Sequence, residues 1–327
     1  MPKIQEVNDF SIKIYTSLLD ALSKQGFSFQ PFLEYLNSLE KKAIFLRHDV
    51  DLLPLNSLEI AKLEAEKGIK GTYYFRIVPE SFDEKVIKEI HSLGHEIGYH
   101  YEDVSLAAVR LRAQGSGLRE EEIARIAIES FKQSLERLRR IVPVSTICMH
   151  GSPMNRWDSR LLWKYYDYRD FGIIGEPYFD VNFEKILYLT DTGRRWDGEA
   201  VSIRDKAQVE ERSNEPKRSG ARRSQILHFG SSELRAQGEI KYQDWKVKPI
   251  SGSLMNPTKL STEFQNNHKF RSTYEIISAI EEGRFPDKTM MTFHPQRWTD
   301  RPIPWVKELV WQNVKNVGKY FLIKMRN

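Results

Sequence analysis

Apolar residues at Phe10, Ile14, Leu18, Leu19 and Leu22 recur at helical spacing, and Gly26 follows them as a stop. A second, short helix is predicted over residues 32–39. From residue 43 the pattern changes to short continuous apolar runs separated by amphipathic stretches. Ala43-Ile44-Phe45-Leu46 leads into Arg47-His48-Asp49-Val50-Asp51, and residues 55–67 read as a helix closed by Gly68. Strands are predicted at 72–75, 95–100 and 144–149, with helices over 83–93 and 120–140 between them. The longer helix carries Ile123, Ile126, Ala127, Phe131, Leu135 and Leu138 on one face. Residues 172–175 and 186–190 are further strand candidates. Ser272 caps a helix to residue 282, residues 289–293 give a last strand, and 304–314 a closing helix.

Apolar strands alternating with amphipathic helices predict parallel βαβ units, and continuous apolar runs indicate a sheet covered on both faces. Six or seven strands are too few for an eight-fold barrel and suit an incomplete one. The pattern therefore predicts an α/β fold with residues 1–40 as an N-terminal helical segment packed on a barrel made by 41–327. Residues 204–268 break the alternation. They are rich in Arg, Lys, Glu, Ser and Gln and poor in aliphatics, and read as a polar insertion before the last strand.

Composition changes this picture in three respects. The 327 residues hold 50 basic and 45 acidic side chains, a net charge of +5. Residues 204–248 alone carry 11 basic and 7 acidic ones, which is +4 of that excess. The remainder is nearly neutral, so nucleic acid is not an expected partner. One cysteine, Cys148, excludes a disulfide framework and a cysteine-rich zinc site. No secretory signal and no apolar run of about 18 residues is present, so no membrane span and a cytoplasmic location are expected.

In parallel α/β folds, functional side chains collect at the C-terminal ends of strands. Four of the predicted strands end in acid or imidazole groups: Asp49 and Asp51, His100, His150, and His294. Asp49 and Asp51 lie two apart on an extended segment and share a side. Their repulsion is relieved by a bound cation, leaving one acid to ligate and one to act as base, or else by a helix cap or a salt bridge to Arg47. His95 and His100 fall on opposite faces of their strand, His100 inward and His95 in a structural role. Asp191-Thr192-Gly193-Arg194-Arg195-Trp196-Asp197 follows another strand, and Arg194, Arg195 and Trp196 suit an anionic sugar or a cation–π surface loop. Glu102 and Arg297, beside His100 and His294, complete the candidate substrate-binding set.

These residues resemble the NodB-homology polysaccharide deacetylases, carbohydrate esterase family 4, in order from about Ala43 to Trp298. Asp49-Val50-Asp51 is similar to a spaced form of the family's first motif, which supplies a base and a metal ligand. Gly94-His95-Glu96-Ile97-Gly98 followed by His100 is similar to the second, and the apolar strand ending in His294 to the last, whose histidine is the catalytic acid. Leu46-Arg47-His48-Asp49-Val50-Asp51 and Met149-His150-Gly151-Ser152-Pro153 resemble a divergent subgroup associated with surface-polysaccharide biosynthesis. Two positions depart from the family. Val104 stands where a second metal histidine is usual, and His150 where an arginine usually orients the base. His150 or Glu102 then supplies the third ligand.

The resemblance implies an incomplete (β/α)7-type barrel and a metal-dependent hydrolase that removes an acetyl group from an amino sugar, nucleotide- or lipid-linked. Asp49 is the expected base and His294 the acid. Asp51, His100 and His150 are the expected ligands of Zn2+, with Co2+, Ni2+ or Mn2+ as alternatives. Two other readings are a hydrolase of a different non-peptide C–N amide, and a barrel without catalysis that binds a glycan or a partner.

Overall fold

The apolar runs become strands because each is covered on both sides. All eight residues of the second strand, Ala43–Val50, are buried, polar ones included. The protein is represented by a computed structural model, which describes residues 8–115, 119–151, 157–196 and 263–326. Seven strands form one sheet: β1 (Ser28–Phe29), β2 (Ala43–Val50), β3 (Thr72–Phe75), β4 (Glu96–Tyr101), β5 (Ile147–Met149), β6 (Leu187–Thr190) and β7 (Lys288–Phe293). Their order is β5-β4-β3-β2-β7-β6, and every pairing is parallel. β1 pairs with the start of β2 at Ala43 and Ile44, before β3 takes over from Arg47. The end strands β5 and β6 do not pair with each other, so the sheet curls as an incomplete barrel.

Helices cover the sheet: α1 (Ile12–Lys24), α2 (Phe32–Asn37), α3 (Pro54–Glu66), α4 (Glu84–Ser92), α5 (Asp103–Ala113), α6 (Glu120–Arg139), α7 (Pro177–Asp180), α8 (Glu263–Asn267), α9 (Thr273–Glu281) and α10 (Pro302–Arg326). The expected cap at Ser272 is present, its Oγ accepting from Glu275 N at 3.3 Å. The N-terminal segment packs against the rest. Tyr15 of α1 is fully buried, its ring 4.9 Å from that of Phe293 and 5.4 Å from that of Trp298.

Four expectations need correction. Residues 172–175 make a single bridge, Gly175 to Thr146, rather than a strand. The closing helix runs from Pro302 to Arg326 instead of 304–314. The N-terminal segment is not purely helical, since it contributes β1. Residues 204–262 of the expected insertion lie outside the described residues, but its end is part of the fold. Gln265 of α8 donates Nε2 to Phe183 O and Ile186 O at 2.8 and 2.7 Å and accepts from Tyr188 N at 2.9 Å, fixing the approach to β6.

Candidate active site

Parallel pairing brings the carboxyl ends of the strands to one edge, and there the acids and imidazoles converge. Asp49 lies on β2 and Asp51 just beyond it. His100 lies on β4, His150 follows β5, and His294 follows β7. His100 Nε2 is 3.6 Å from Asp51 Oδ1, and His150 Nε2 is 3.5 Å from the same oxygen. Both imidazoles have their other nitrogen tied down. His100 Nδ1–H donates to Cys148 O at 2.9 Å, and His150 Nδ1–H to Glu102 Oε2 at 3.0 Å. Each Nε2 therefore presents a lone pair to the pocket.

Three acceptors thus face one another with no proton between them, and Asp51 Oδ1 is buried without a hydrogen-bond partner. This is the arrangement a cation resolves. Donors about 2.1 Å from a common point at tetrahedral angles stand about 3.4 Å apart, close to the separations observed. The residues present fit a divalent metal. A second group, Asp49, His100 and Cys148, also lies close enough to share an ion. It is the poorer set, because Asp49 is held by an arginine and Cys148 is fully buried.

Arg47, two residues before Asp49 on β2, shares its side of the strand. It donates Nε to Oδ1 at 2.8 Å and Nη2 to Oδ2 at 2.7 Å, a two-pronged pair with both partners buried. Burial pushes the Asp49 carboxyl up, but Arg47, with His100 and His294 behind it, holds it well below the usual carboxylate range. Burial also lowers His100, to about 4, against the pull of Asp49. Asp51 is raised by burial and lowered further by His150, His294 and His100, and ends below its ordinary value.

The histidine after β7 is oriented by a residue missing from the candidate set. His294 Nδ1 is 2.5 Å from Oδ1 of Asp191, which follows β6 and is fully buried. Asp191 also accepts from His294 N at 2.9 Å, Trp298 Nε1 at 2.7 Å and Arg297 Nη1 at 2.8 Å. Arg297 Nη1 lies 2.9 Å from His294 Nδ1 as well. Its two hydrogens, however, are used by Asp191 Oδ1 and by Asp191 O at 3.0 Å. Nδ1 therefore keeps its own proton for Asp191, and Nε2 turns to the pocket, 3.9 Å from Asp51 Oδ2. That oxygen also accepts from Gln296 Nε2 at 3.3 Å, another contact not foreseen from the sequence.

The expected ligands and acid–base pair are thus brought together, while the expected sugar contacts are mostly not. Trp196 is buried, donating Nε1 to Thr273 Oγ1 at 3.0 Å and packing on Phe10, Phe293 and Trp298, so no ring face is left for a sugar. Arg194 is buried as well, donating to Asp9 O at 3.2 Å with its guanidinium over Phe10 and Trp305. Arg195 is exposed. Arg297 serves Asp191, and Glu102 is engaged behind His150 and by Arg76 Nε at 2.8 Å, which makes it a support rather than a ligand or a substrate contact. Val104 is buried in α5. The arginine that holds Asp49 is Arg47, on the same strand. His95 accepts from Gly71 N at 3.1 Å and donates to Ala61 O at 2.9 Å, a structural role on the other face. Ser152 and Pro153 after His150, and Asp197, lie outside the described residues.

No family model matches the chain, and no curated protein does. Among solved structures it is similar to the Streptococcus pyogenes deacetylase PplD in complex with acetate, at 14% sequence identity and a TM-score of 0.35, over 50% of this chain and 73% of that one. So slight a likeness leaves the functional reading to the geometry of the site.

Proposed function

We propose that the chain is a metal-dependent carbohydrate N-deacetylase of the NodB-homology kind, acting on an acetylated amino sugar linked to a nucleotide or a lipid. The observation that supports it most is the partnerless Oδ1 of Asp51 facing Nε2 of both His100 and His150, with Asp49 and His294 alongside. Asp51, His100 and His150 would hold a divalent cation, Zn2+ first for this nitrogen and oxygen donor set, which would lower the pKa of water and polarise an acyl carbonyl. Asp49, kept charged and fixed by Arg47, takes a proton from the attacking water. His294, anchored through Nδ1 to Asp191, gives a proton to the departing amine from Nε2 as the C–N bond breaks. Acetate and a free amino sugar result.

The test combines metal analysis of the purified protein with acetate release from N-acetylated sugar nucleotides and lipid-linked sugars. The wild type is expected to carry about one metal per chain and to release acetate. Asp49→Asn should keep the metal and lose about 10²-fold or more in kcat. Absence of acetate from every acetylated sugar with the metal loaded, or full metal retention by Asp51→Ala, overturns the reading.

A further inference from the structure

The last helix is built inside out. Among the described side chains of α10, those turned toward the protein are largely polar. Gln312 is buried, Trp305 donates Nε1 to Asp9 O at 2.8 Å, and Asn316 donates Nδ2 to Gly193 O at 3.0 Å. Five of its described apolar side chains are exposed: Ile303 at 80%, Val306 at 51%, Val310 at 58%, Trp311 at 54% and Val314 at 57%. At helical spacing Ile303, Val306, Val310 and Val314 form one stripe about 80° wide, on the side away from Trp305, Gln312 and Asn316. A surface helix of a globular protein normally turns such a stripe inward, and a contiguous apolar patch left outside marks a docking surface.

Charge selects the occupant. Between Arg301 and Asn327 the sequence has six basic residues and one acidic one, Glu308. Glu308 is engaged within the helix, accepting from Gln312 Nε2 at 2.6 Å. Lys307 is exposed beside the stripe, and Lys315, exposed farther round the helix, has its Nζ 5.1 Å from the centre of the Trp311 ring. A second copy of α10 laid on the stripe brings lysine against lysine with one acid to offset them. An anionic lipid surface satisfies both halves of the pattern, taking the Val, Ile and Trp side chains at the acyl boundary and the lysines at the phosphates. The helix also starts at the catalytic edge, shortly after His294. Arg301 Nη2 is 4.0 Å from Glu59 of α3. The approach to α3 adds Leu53, with Leu55 in its first turn, at 53% and 68% exposed, two and four residues after Asp51.

We propose that α10 docks the protein peripherally on an anionic bilayer, lying in its plane. This does not depend on the deacetylase reading. The test is co-sedimentation of the full chain with vesicles of phosphatidylcholine alone and of phosphatidylcholine mixed with phosphatidylglycerol, over a range of salt. Wild type should bind the anionic vesicles, weaken as salt rises, and leave the neutral ones. Lys307→Glu/Lys315→Glu should lower partitioning about tenfold or more, and Val310→Glu/Val314→Glu should abolish it. Both pairs are exposed, so circular dichroism spectra should be unchanged. Absence of binding to anionic vesicles, or equal binding to both kinds, overturns the proposal. So does a lipid-free dimer in analytical ultracentrifugation that Val310→Glu/Val314→Glu dissolves, which assigns the stripe to a second copy.

Discussion

Asp191 illustrates how much one buried carboxylate can organise. Burial raises its pKa, yet His294 and Arg297 outweigh that and keep it below the ordinary value, so it remains an acceptor for its four donors. Asp191→Asn replaces one acceptor oxygen by a donor, and either His294 Nδ1 or the Trp298 and His294 N–H groups lose their partner. If His294 is the acid, kcat should fall by about 10³-fold with KM little changed, because tautomer and ring orientation are lost together; a fall below tenfold removes Asp191 from the mechanism. Arg47 allows a signed pH test. It holds Asp49 low, and a lysine in its place would offer a single rotatable ammonium instead of the fork. In Arg47→Lys the Asp49 pKa rises, so the acid limb of the kcat/KM profile should move to higher pH, and an unmoved limb excludes Asp49 as the group titrating there. The main site residues are legible in the sequence because one rule, acids and imidazoles at strand ends, selects Asp49, Asp51, His100, His150 and His294. Asp191 obeys the same rule but is masked by the arginines and tryptophan after it, which suggest a sugar-binding loop. Nothing in the spelling of that loop says that Trp196 and Arg194 turn inward. Gln296 has no sequence signal at all.

At the scale of elements, the long apolar runs and well-capped helices are readable because burial on both faces leaves an uninterrupted signature. β1 is not, since two residues beginning with a serine carry no pattern, and pairing with β2 alone makes them a strand. α5 starts two residues after β4 and carries Arg110 and Arg112 with exposed Leu106 and Val109, so no clean stripe marks it. Gly98 belongs to a sequence motif, and the packing supplies its reason. It lies in register with Tyr74, which is itself in register with Asp49. A Cβ on Gly98 would fall on the ring of Tyr74, which is fully buried and cannot swing away. Gly98→Ala should therefore cost about 1–3 kcal/mol in urea unfolding. It should also lower activity, because β4 carries His100 only two residues further on. Unchanged stability would mean that the ring can shift and the close approach is incidental.

Across the whole molecule, the two sides of β2 handle buried charge in opposite ways. The Arg47–Asp49 side gathers acceptors that could hold an ion. The His48 side closes a hydrogen-bonded network around Glu64 of α3, drawing on α1, β2 and β3. Glu64 takes the hydroxyl of Tyr15 at one oxygen and that of Tyr73 at the other, the second at 2.7 Å. His48 Nε2 is 2.9 Å from Oε1, while His95, its Nδ1 already taken by Gly71 N, stands 3.7 Å from Oε2 without a hydrogen bond to it. His48 lies flat on Tyr73, ring centres 4.0 Å apart. Burial pushes Glu64 up, but His48 above all brings it below its ordinary value. A carboxyl whose folded pKa lies below its unfolded one contributes stability that is complete above the unfolded value and is lost as pH falls through the folded one. Glu64→Gln keeps the shape and removes the charge. It should cost about 3 kcal/mol at neutral pH, as for a broken buried pair. Below about pH 4.3, where an unfolded glutamate protonates, the variant should lose stability less steeply than the wild type, so the two urea-unfolding curves converge on acidification. Curves that run parallel down to low pH would show that Glu64 binds these segments through its hydrogen bonds alone, and that the acid sensitivity of the fold resides in the carboxylates at the strand ends.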